Sequence, residues 1–397
     1  MSDPLVIRGA RLIDGRGSDP VDDAVLVAQG GRVMYAGPVE DARGFEEHPS
    51  AIDADGRTLM PGLIDAHVHL CFDGAPDFAA DADAMSEADA LERCREAAAR
   101  ALHAGITTVR DLGGLGEATL LAAREQRRGN LKGARILTAG QVLTVTGGHA
   151  HFIGREVDSS DDLTKAIDDL KEAGADVVKV IATGGVLTPG IGALQPAFTR
   201  EQLEAAVNEA HRLGMRIAAH AIGAEGIAAA AAAGVDSIEH GCYLEGGAIS
   251  AMISTPSWLV PTLSAPDRIS HGGRDVPDYA RVKSDKLIEH HRAAFAAAVE
   301  AGVRTASGTD AGTPYNPHGG LAYELRLMHE AGMSLRQVLA ATTREAAQLL
   351  GLGEAGTIEP EQIADVILLD GDPLEDAGAY ERVVMVVYGG HVVVDRR

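Results

Sequence analysis

The feature that most constrains this chain is a repeat. Eight short apolar runs alternate with Ala-, Leu- and Glu-rich segments of helical period, such as "TREQLEAAVNEAHRL" and "AEGIAAAAAA". The runs are "TLMPGLIDAHVHL", "AGITTVRDLGG", "GARILTAG", "GADVVKVIATGG", "GMRIAAHA", "GVDSIEHG", "SWLVPTLSAP" and "GVRTASGTDAG". Strand–helix alternation implies a parallel sheet with right-handed crossovers. Eight units match a closed (β/α)8 TIM barrel, so the expected class is α/β.

The two ends differ from this middle. "LVIRGARLID" and "DAVLVAQGGRVMYAG" near the start resemble "ADVILLDGDP" and "RVVMVVYGGHVVVDRR" near the finish. Both are rich in β-branched residues, and Gly30-Gly31 and Gly389-Gly390 read as hairpin turns. An isolated hairpin is marginal in water. The expectation is one small β-sandwich domain formed from both chain ends, 1–58 plus 355–397, around a catalytic barrel at 59–354.

Bulk properties exclude several classes. The sum of 35 basic and 58 acidic residues gives a net charge of −23, which opposes nucleic acid or anionic membrane as partner. No apolar run approaches the length of a membrane span, and the start has no signal-peptide pattern. Cys71, Cys94 and Cys242 lack CxxC spacing, which points to a reducing, cytoplasmic setting without a disulfide framework.

Catalytic residues of such barrels lie at the C-terminal ends of strands. Of 15 histidines, His103, His211, His290, His291 and His329 fall in helical segments and read as surface or packing residues. His67, His69, His220 and His240 end strands, and Asp310 ends the eighth. His67 and His69 lie two apart, so they share a strand face and can present two ring nitrogens to one point. Lys179 sits inside the fourth run, where a lone ammonium is costly. It reads either as an ion pair with Asp310 or another carboxylate, or as a lysine carbamate able to ligate cations. A protonated lysine cannot ligate.

These motifs, "PGLIDAHVHL", "KVIATGG", "AAHA", "EHG" and "GTDAG" in that order, resemble the amidohydrolase superfamily in its binuclear, lysine-carboxylated form. "LTVTGGHAHF", "IEHGCYL" and "GTDAGTPYNPHGG" are similar to the branch of Xaa-Pro and Xaa-Arg/Lys dipeptidases and imidazolonepropionase-like proteins. The resemblance implies that His67, His69 and Asp310 hold one divalent metal and His220 and His240 a second. Carboxylated Lys179 and a hydroxide would bridge them. Zinc is the expected ion, with manganese, cobalt or iron as alternatives. Such a site keeps a residual positive charge that favours an oxyanion, and Asp310 would shuttle the proton from water to the leaving nitrogen.

The resemblance also makes Tyr243 a donor to the tetrahedral oxyanion and His149 a donor to substrate, where the bland readings are a rim aromatic and a loop histidine. His151 is a weaker candidate. Arg110 and Arg155 could bind a substrate carboxylate or pair with Asp111 and Glu156. Three Gly- and Pro-rich loops, "CFDGAPDFAADADA", "VLTPGIGALQPAF" and "SAPDRISHGGRDVPDY", read as lids that shape the pocket.

The expected function is C–N hydrolysis of dipeptides or N-acyl amino acids, by a homo-oligomer acting on small molecules. The alternatives are a cyclic amide such as an imidazolone, a carbamate, aryl amide or organophosphate ester, and a non-catalytic scaffold. The scaffold would have lost ligands, and all six positions carry the expected residue type.

Overall fold

The computed structural model describes residues 3–273 and 275–397; of the third loop named above, Arg274 lies outside the described residues. Both chain ends enter one eight-stranded sheet. Its order runs His391–Asp395, Val383–Tyr388, Val366–Leu369, Thr58–Pro61, Leu5–Leu12, Val21–Gln29 and Arg32–Pro38, with Ile52–Asp53 also pairing Leu5–Leu12. Gly30-Gly31 and Gly389-Gly390 all have φ between 55° and 83°, as a tight hairpin turn between right-twisted strands requires. The turns fasten the two ends together: Ala364 N–H donates to Gly31 O (2.9 Å) and Gly390 N–H to Ala364 O (3.0 Å).

The opening run of the repeat is two strands, not one. Thr58–Pro61 belongs to the terminal sheet, whereas Leu63–Val68 starts a parallel one. The chain changes sheets at Gly62, whose N–H donates to Asp365 O, while the next N–H, of Leu63, donates to Gly105 O.

The middle forms two parallel sheets. Leu63–Val68, Ile106–Asp111 and Arg135–Thr138 make the first. The second runs Gly154–Glu156, Val142–Thr144, Val177–Ile181, Arg216–Ala221, Ser237–His240, Trp258–Val260. The strands Val142–Thr144 and Gly154–Glu156 follow the third run and were not expected. Asp176 N–H donates to Thr138 O (2.8 Å) between the two sheets. The eighth run is not a regular strand. Residues 304–311 pass between Trp258–Val260 and Leu63–Val68, bonded to both: Leu259 N–H donates to Arg304 O, and Ala66 N–H to Ser307 O. Gly308 lies within it and Asp310 has φ 60°, which breaks the extended geometry.

Helices follow most strands. In Arg200–Arg212, Thr199 and Gln202 close a capping box. Leu203, Ala206, Val207 and Ala210 recur at helical spacing and are buried against the sheet. His211 and Arg212 complete the last turn, next to the exposed carbonyls that favour positive charge. Other helices repeat this logic, with Ser86 and Ser159 as N-caps and Gly174 and Gly234 as left-handed C-caps. One continuous apolar core joins these helices to the parallel strands. Among the described residues, no helix is long and apolar enough to cross a membrane.

Candidate metal centre

Strand register brings the candidate ligands to one height. Ile181 pairs with His220, and Ala221 with His240. Lys179 lies one pleat below, opposite Ala218. At the other side, Asp310 N–H donates to His67 O (2.7 Å) and His69 N–H to Ala311 O (2.8 Å). All six side chains line one cavity of about 740 Å³, mouth included. The imidazoles are close neighbours: ring centroids are 5.5 Å apart for His67–His69, 5.1 Å for His67–His240 and 4.6 Å for His220–His240.

Each histidine is oriented by a bond behind it. His67 Nδ1 donates to Glu239 Oε2 at 2.8 Å, and His69 Nδ1 to Gly113 O at 2.7 Å. Each ring is thereby turned so that its other nitrogen, Nε2, faces the cavity. Those Nε2 atoms lie 3.4 and 3.2 Å from the same oxygen, Asp310 Oδ1. Two ring nitrogens and a carboxylate oxygen this close hold together only with a proton or a cation between them, and the raised His69 is where a proton lies when no cation does. His67, His69 and Asp310 offer ligand atoms all within 4.8 Å of one another, a donor set that suits a divalent ion. His220 Nε2 donates to Gly184 O (2.9 Å), which frees Nδ1, and His240 Nδ1 bonds Thr262 Oγ1 (2.7 Å).

Electrostatics keep most of these rings neutral. Burial drives His67 and His240 well below the usual histidine range and His220 to about 3. Burial is the strongest influence on His69 and would lower it, but the hydrogen bond and charge of Asp310, the Gly113 carbonyl and the charge of Asp111 together outweigh it and raise it. Neutral imidazoles are the ligating form.

Lys179 is fully buried, and its Nζ has no hydrogen-bond partner. The alternative of a direct bond to Asp310 is therefore not what the structure contains. Burial lowers the ammonium to about 8, only partly opposed by Glu239 and Asp310. A buried, orphaned amine beside a cluster of acceptors is the observation that a carbamate between cations would resolve.

Backbone strain collects here too. Among non-glycine residues, His240 (φ 71°) and Asp310 (φ 60°) line the cavity in left-handed conformations, and Thr262 (φ 52°), whose hydroxyl bonds His240, takes one behind it. Such conformations persist where surrounding bonds hold them, and they favour functional sites. Asp65 supplies one such hold. Its carboxyl accepts from Thr309 N, Thr309 Oγ1 and His67 N, tying the Asp310 turn to the His67 strand.

His149 enters the cavity. Its Nδ1 bonds Thr188 Oγ1 (2.7 Å) and its ring lies 4.6 Å from that of His220. The ring packs directly on Gly185, where a Cβ would collide with Nε2. Tyr243 is not brought to the ligands. Its ring stacks on His290 at 4.7 Å and lines a separate cleft on the far side of Cys242. His151 points away, bonded to Gly148 O.

The two arginines have other partners than those expected. Arg110 is buried and donates to Glu239 Oε1 (2.9 Å), Ala66 O (2.6 Å) and Ser237 Oγ (3.1 Å), not to Asp111. It thus secures the carboxylate that orients His67. Arg155 pairs with Asp169 at 2.8 Å rather than with Glu156. Neither lines the cavity.

Sequence reasoning missed Glu239 and His291. Glu239 lies inside an apolar run, the same signal that singled out Lys179. His291 sits in the long helix Asp278–Glu300, yet it is buried, lines the cavity and donates from Nε2 to His240 O (2.9 Å). Its helix turns it inward, which a count of helical histidines does not reveal.

The chain as a whole is similar to known proteins. The model of the amidohydrolase family matches residues 58–393. An ochratoxinase from Aspergillus niger is 28% identical over 417 residues, covering 96% of this chain and 84% of the relative. An imidazolonepropionase from Caulobacter vibrioides is 30% identical over 404 residues, covering 91% and 92%. The crystal structure of a Xaa-Pro dipeptidase with bound methionine in the active site superposes with a TM-score of 0.90 at 30% identity, covering 99% and 100%. The chain belongs to the amidohydrolase family, and it is a hydrolase acting on carbon–nitrogen bonds.

Proposed function

We propose that the chain cleaves an amide bond in dipeptides or N-acyl amino acids, using two divalent metal ions. The carrying observation is the buried, partnerless Nζ of Lys179 among four histidines and Asp310. His67, His69 and Asp310 would hold one cation, His220 and His240 the other, and carboxylated Lys179 would span them, with zinc the expected ion. Bound there, the cations would polarise the scissile carbonyl and acidify a water.

The chain's own groups do the rest. Asp310 accepts the proton of the attacking water and returns it to the leaving nitrogen as the C–N bond breaks. His149, neutral because burial holds it well below the usual range, donates to or accepts from the substrate at the cavity wall. Glu239 and Arg110 hold His67 in its ligating tautomer.

The same reading extends to architecture. The two parallel sheets and the 304–311 segment would form one (β/α)8 barrel, and the terminal sheet a composite β-sandwich domain. The bonds Asp176–Thr138, Leu259–Arg304 and Ala66–Ser307 support it. The terminal unit would then extend to Pro61, because Thr58–Pro61 pairs within the terminal sheet.

The test is a turnover screen over dipeptides and N-acyl amino acids, with metal content measured on the same sample. Activity that tracks metal loading and appears first with these amides supports the reading. A preference for imidazolones, carbamates or phosphotriesters would redirect it.

A further inference from the structure

Above the ligands, the cavity wall changes character. Phe78, Phe152, Val186, Leu187, Ile269 and Leu287 line it. Phe78 meets Phe152 edge to face at 5.8 Å and reaches His69 at 6.2 Å, so the apolar wall begins beside the metal ligands. Among the described residues, the lining contains one lysine, Lys179, and no arginine. A charged substrate group pressed on this wall would lose its water without a partner, which is costly.

Part of the wall is a loop fastened in place. Lys283, on helix Asp278–Glu300, donates from one Nζ to Gly185 O (2.9 Å), Thr188 O (2.7 Å) and Ile191 O (2.9 Å). Tyr279 of the same helix donates to Leu187 O (3.3 Å). Thr188 Oγ1 also accepts from Ala150 N (3.1 Å) and bonds His149. These bonds set Val186 and Leu187 against the cavity. An ammonium spent on three carbonyls of one short loop holds a shape; it is not free to bind a substrate carboxylate.

We propose that the site selects an amide bearing a bulky, uncharged apolar group, aromatic most readily, on one side of the scissile bond. The loop fastened by Lys283 is the wall that reads it. This rests on the amide-hydrolase reading above and adds the substrate class. Lys283 is a positioning residue in this account, and Leu187 and Phe78 touch the substrate.

The experiment uses metal-replete full-length protein and two series. One varies the acyl group on a single amino acid: acetyl, butyryl, hexanoyl, phenylacetyl, succinyl. The other varies the leaving amino acid under one acyl group: Gly, Ala, Leu, Phe, Glu, Lys. Along one series kcat/KM should rise at least about tenfold from the smallest to the aromatic member, as apolar pockets discriminate, with charged members lowest. Leu187→Asp should erase that ratio. Lys283→Met should shrink it at least about threefold, beyond any uniform loss that follows from loosening Thr188 behind His149, and Lys283→Arg should restore part of it. A merely structural Lys283 would lower all substrates alike. A flat or reversed preference, or a ratio unchanged in Leu187→Asp, overturns the proposal. If no amide is turned over, the hydrolase reading fails separately. Equilibrium binding of matched methyl- and phenyl-phosphonyl amino acids then decides the wall: tighter phenyl binding, lost in Leu187→Asp, supports it, and equal binding overturns it.

Discussion

The floor and the wall of the cavity are built differently. The floor residues sit on strands or just past strand ends, and nearly every one has a bond behind it: His67 to Glu239, His69 to Gly113 O, His220 to Gly184 O, His240 to Thr262. The wall residues come from loops and loop-borne helices, Phe78, Leu187 and Ile269 among them, and they are placed by packing and by one lysine. The floor is polar and bonded from behind; the wall is apolar, and its loop is held chiefly through Lys283. On the proposed reading, chemistry and selectivity would be separable except at Thr188, which joins the Lys283-held loop to His149.

The largest expected effects strike the floor. On the proposed reading, Asp310→Asn keeps an oxygen ligand but cannot carry a proton. It should retain metal while kcat drops by at least ~10²-fold, the range of a lost acid–base group. Near-normal turnover in a metal-replete sample would place the proton shuttle elsewhere. Removing Arg110 should act on stability instead. Arg110→Met leaves Glu239 buried beside His67 with its cation gone, and breaking a buried pair costs about 3–5 kcal/mol. Chemical denaturation of metal-free protein measures it, and a loss below about 1 kcal/mol would mean that the pair is not a structural anchor.

Glu239→Gln sits between. It keeps the packing but weakens the orientation of His67, so metal affinity should fall about 10–100-fold, as for other partners of ligating histidines. Competition with a chelator reads this without any activity assay. An unchanged affinity would leave His67 oriented by its strand alone.

The fold was legible where a period or a burial cost announced it. The alternation of runs marked the parallel middle, and the Gly-Gly pairs marked both hairpins. Lys179 was found because an ammonium in "VVKVIA" has no ordinary reason to be buried. What was missed has local causes. Pro61-Gly62 hides a change of sheet inside one apolar run. Gly308 and the left-handed Asp310 keep the eighth run from forming a regular strand. Glu239 carried the same signal as Lys179 but stood beside a more conspicuous histidine. The wall was illegible because loop residues meet only in three dimensions; "VLTPGIGALQPAF" does not reveal that Lys283, some ninety residues on, fastens it.

Two smaller effects sharpen the contrast. Only the neutral amine attacks CO₂, and burial brings Lys179 to about 8. Carbamate formation in metal-free protein should thus accelerate as pH rises towards about 8 and level off above it, at constant dissolved CO₂. Carbon-13 resonance of labelled protein follows it, and a pH-independent rate would contradict the shift. The smallest effect belongs to Tyr243, whose phenol lies outside the cavity. Tyr243→Phe should leave kcat within about threefold. A loss of about 10²–10³-fold, that of a missing oxyanion donor, would mean that the segment after His240 swings this hydroxyl inward during turnover.

Everything proposed for the floor depends on Lys179, as a carbamate, joining two cations held by the four histidines and Asp310. Metal stoichiometry of wild type and Lys179→Ala, each reconstituted with and without bicarbonate, tests it most directly. Two cations per chain are expected in wild type, dependent on bicarbonate, with at least one lost in Lys179→Ala. One tightly held cation in both proteins, indifferent to bicarbonate, would contradict it.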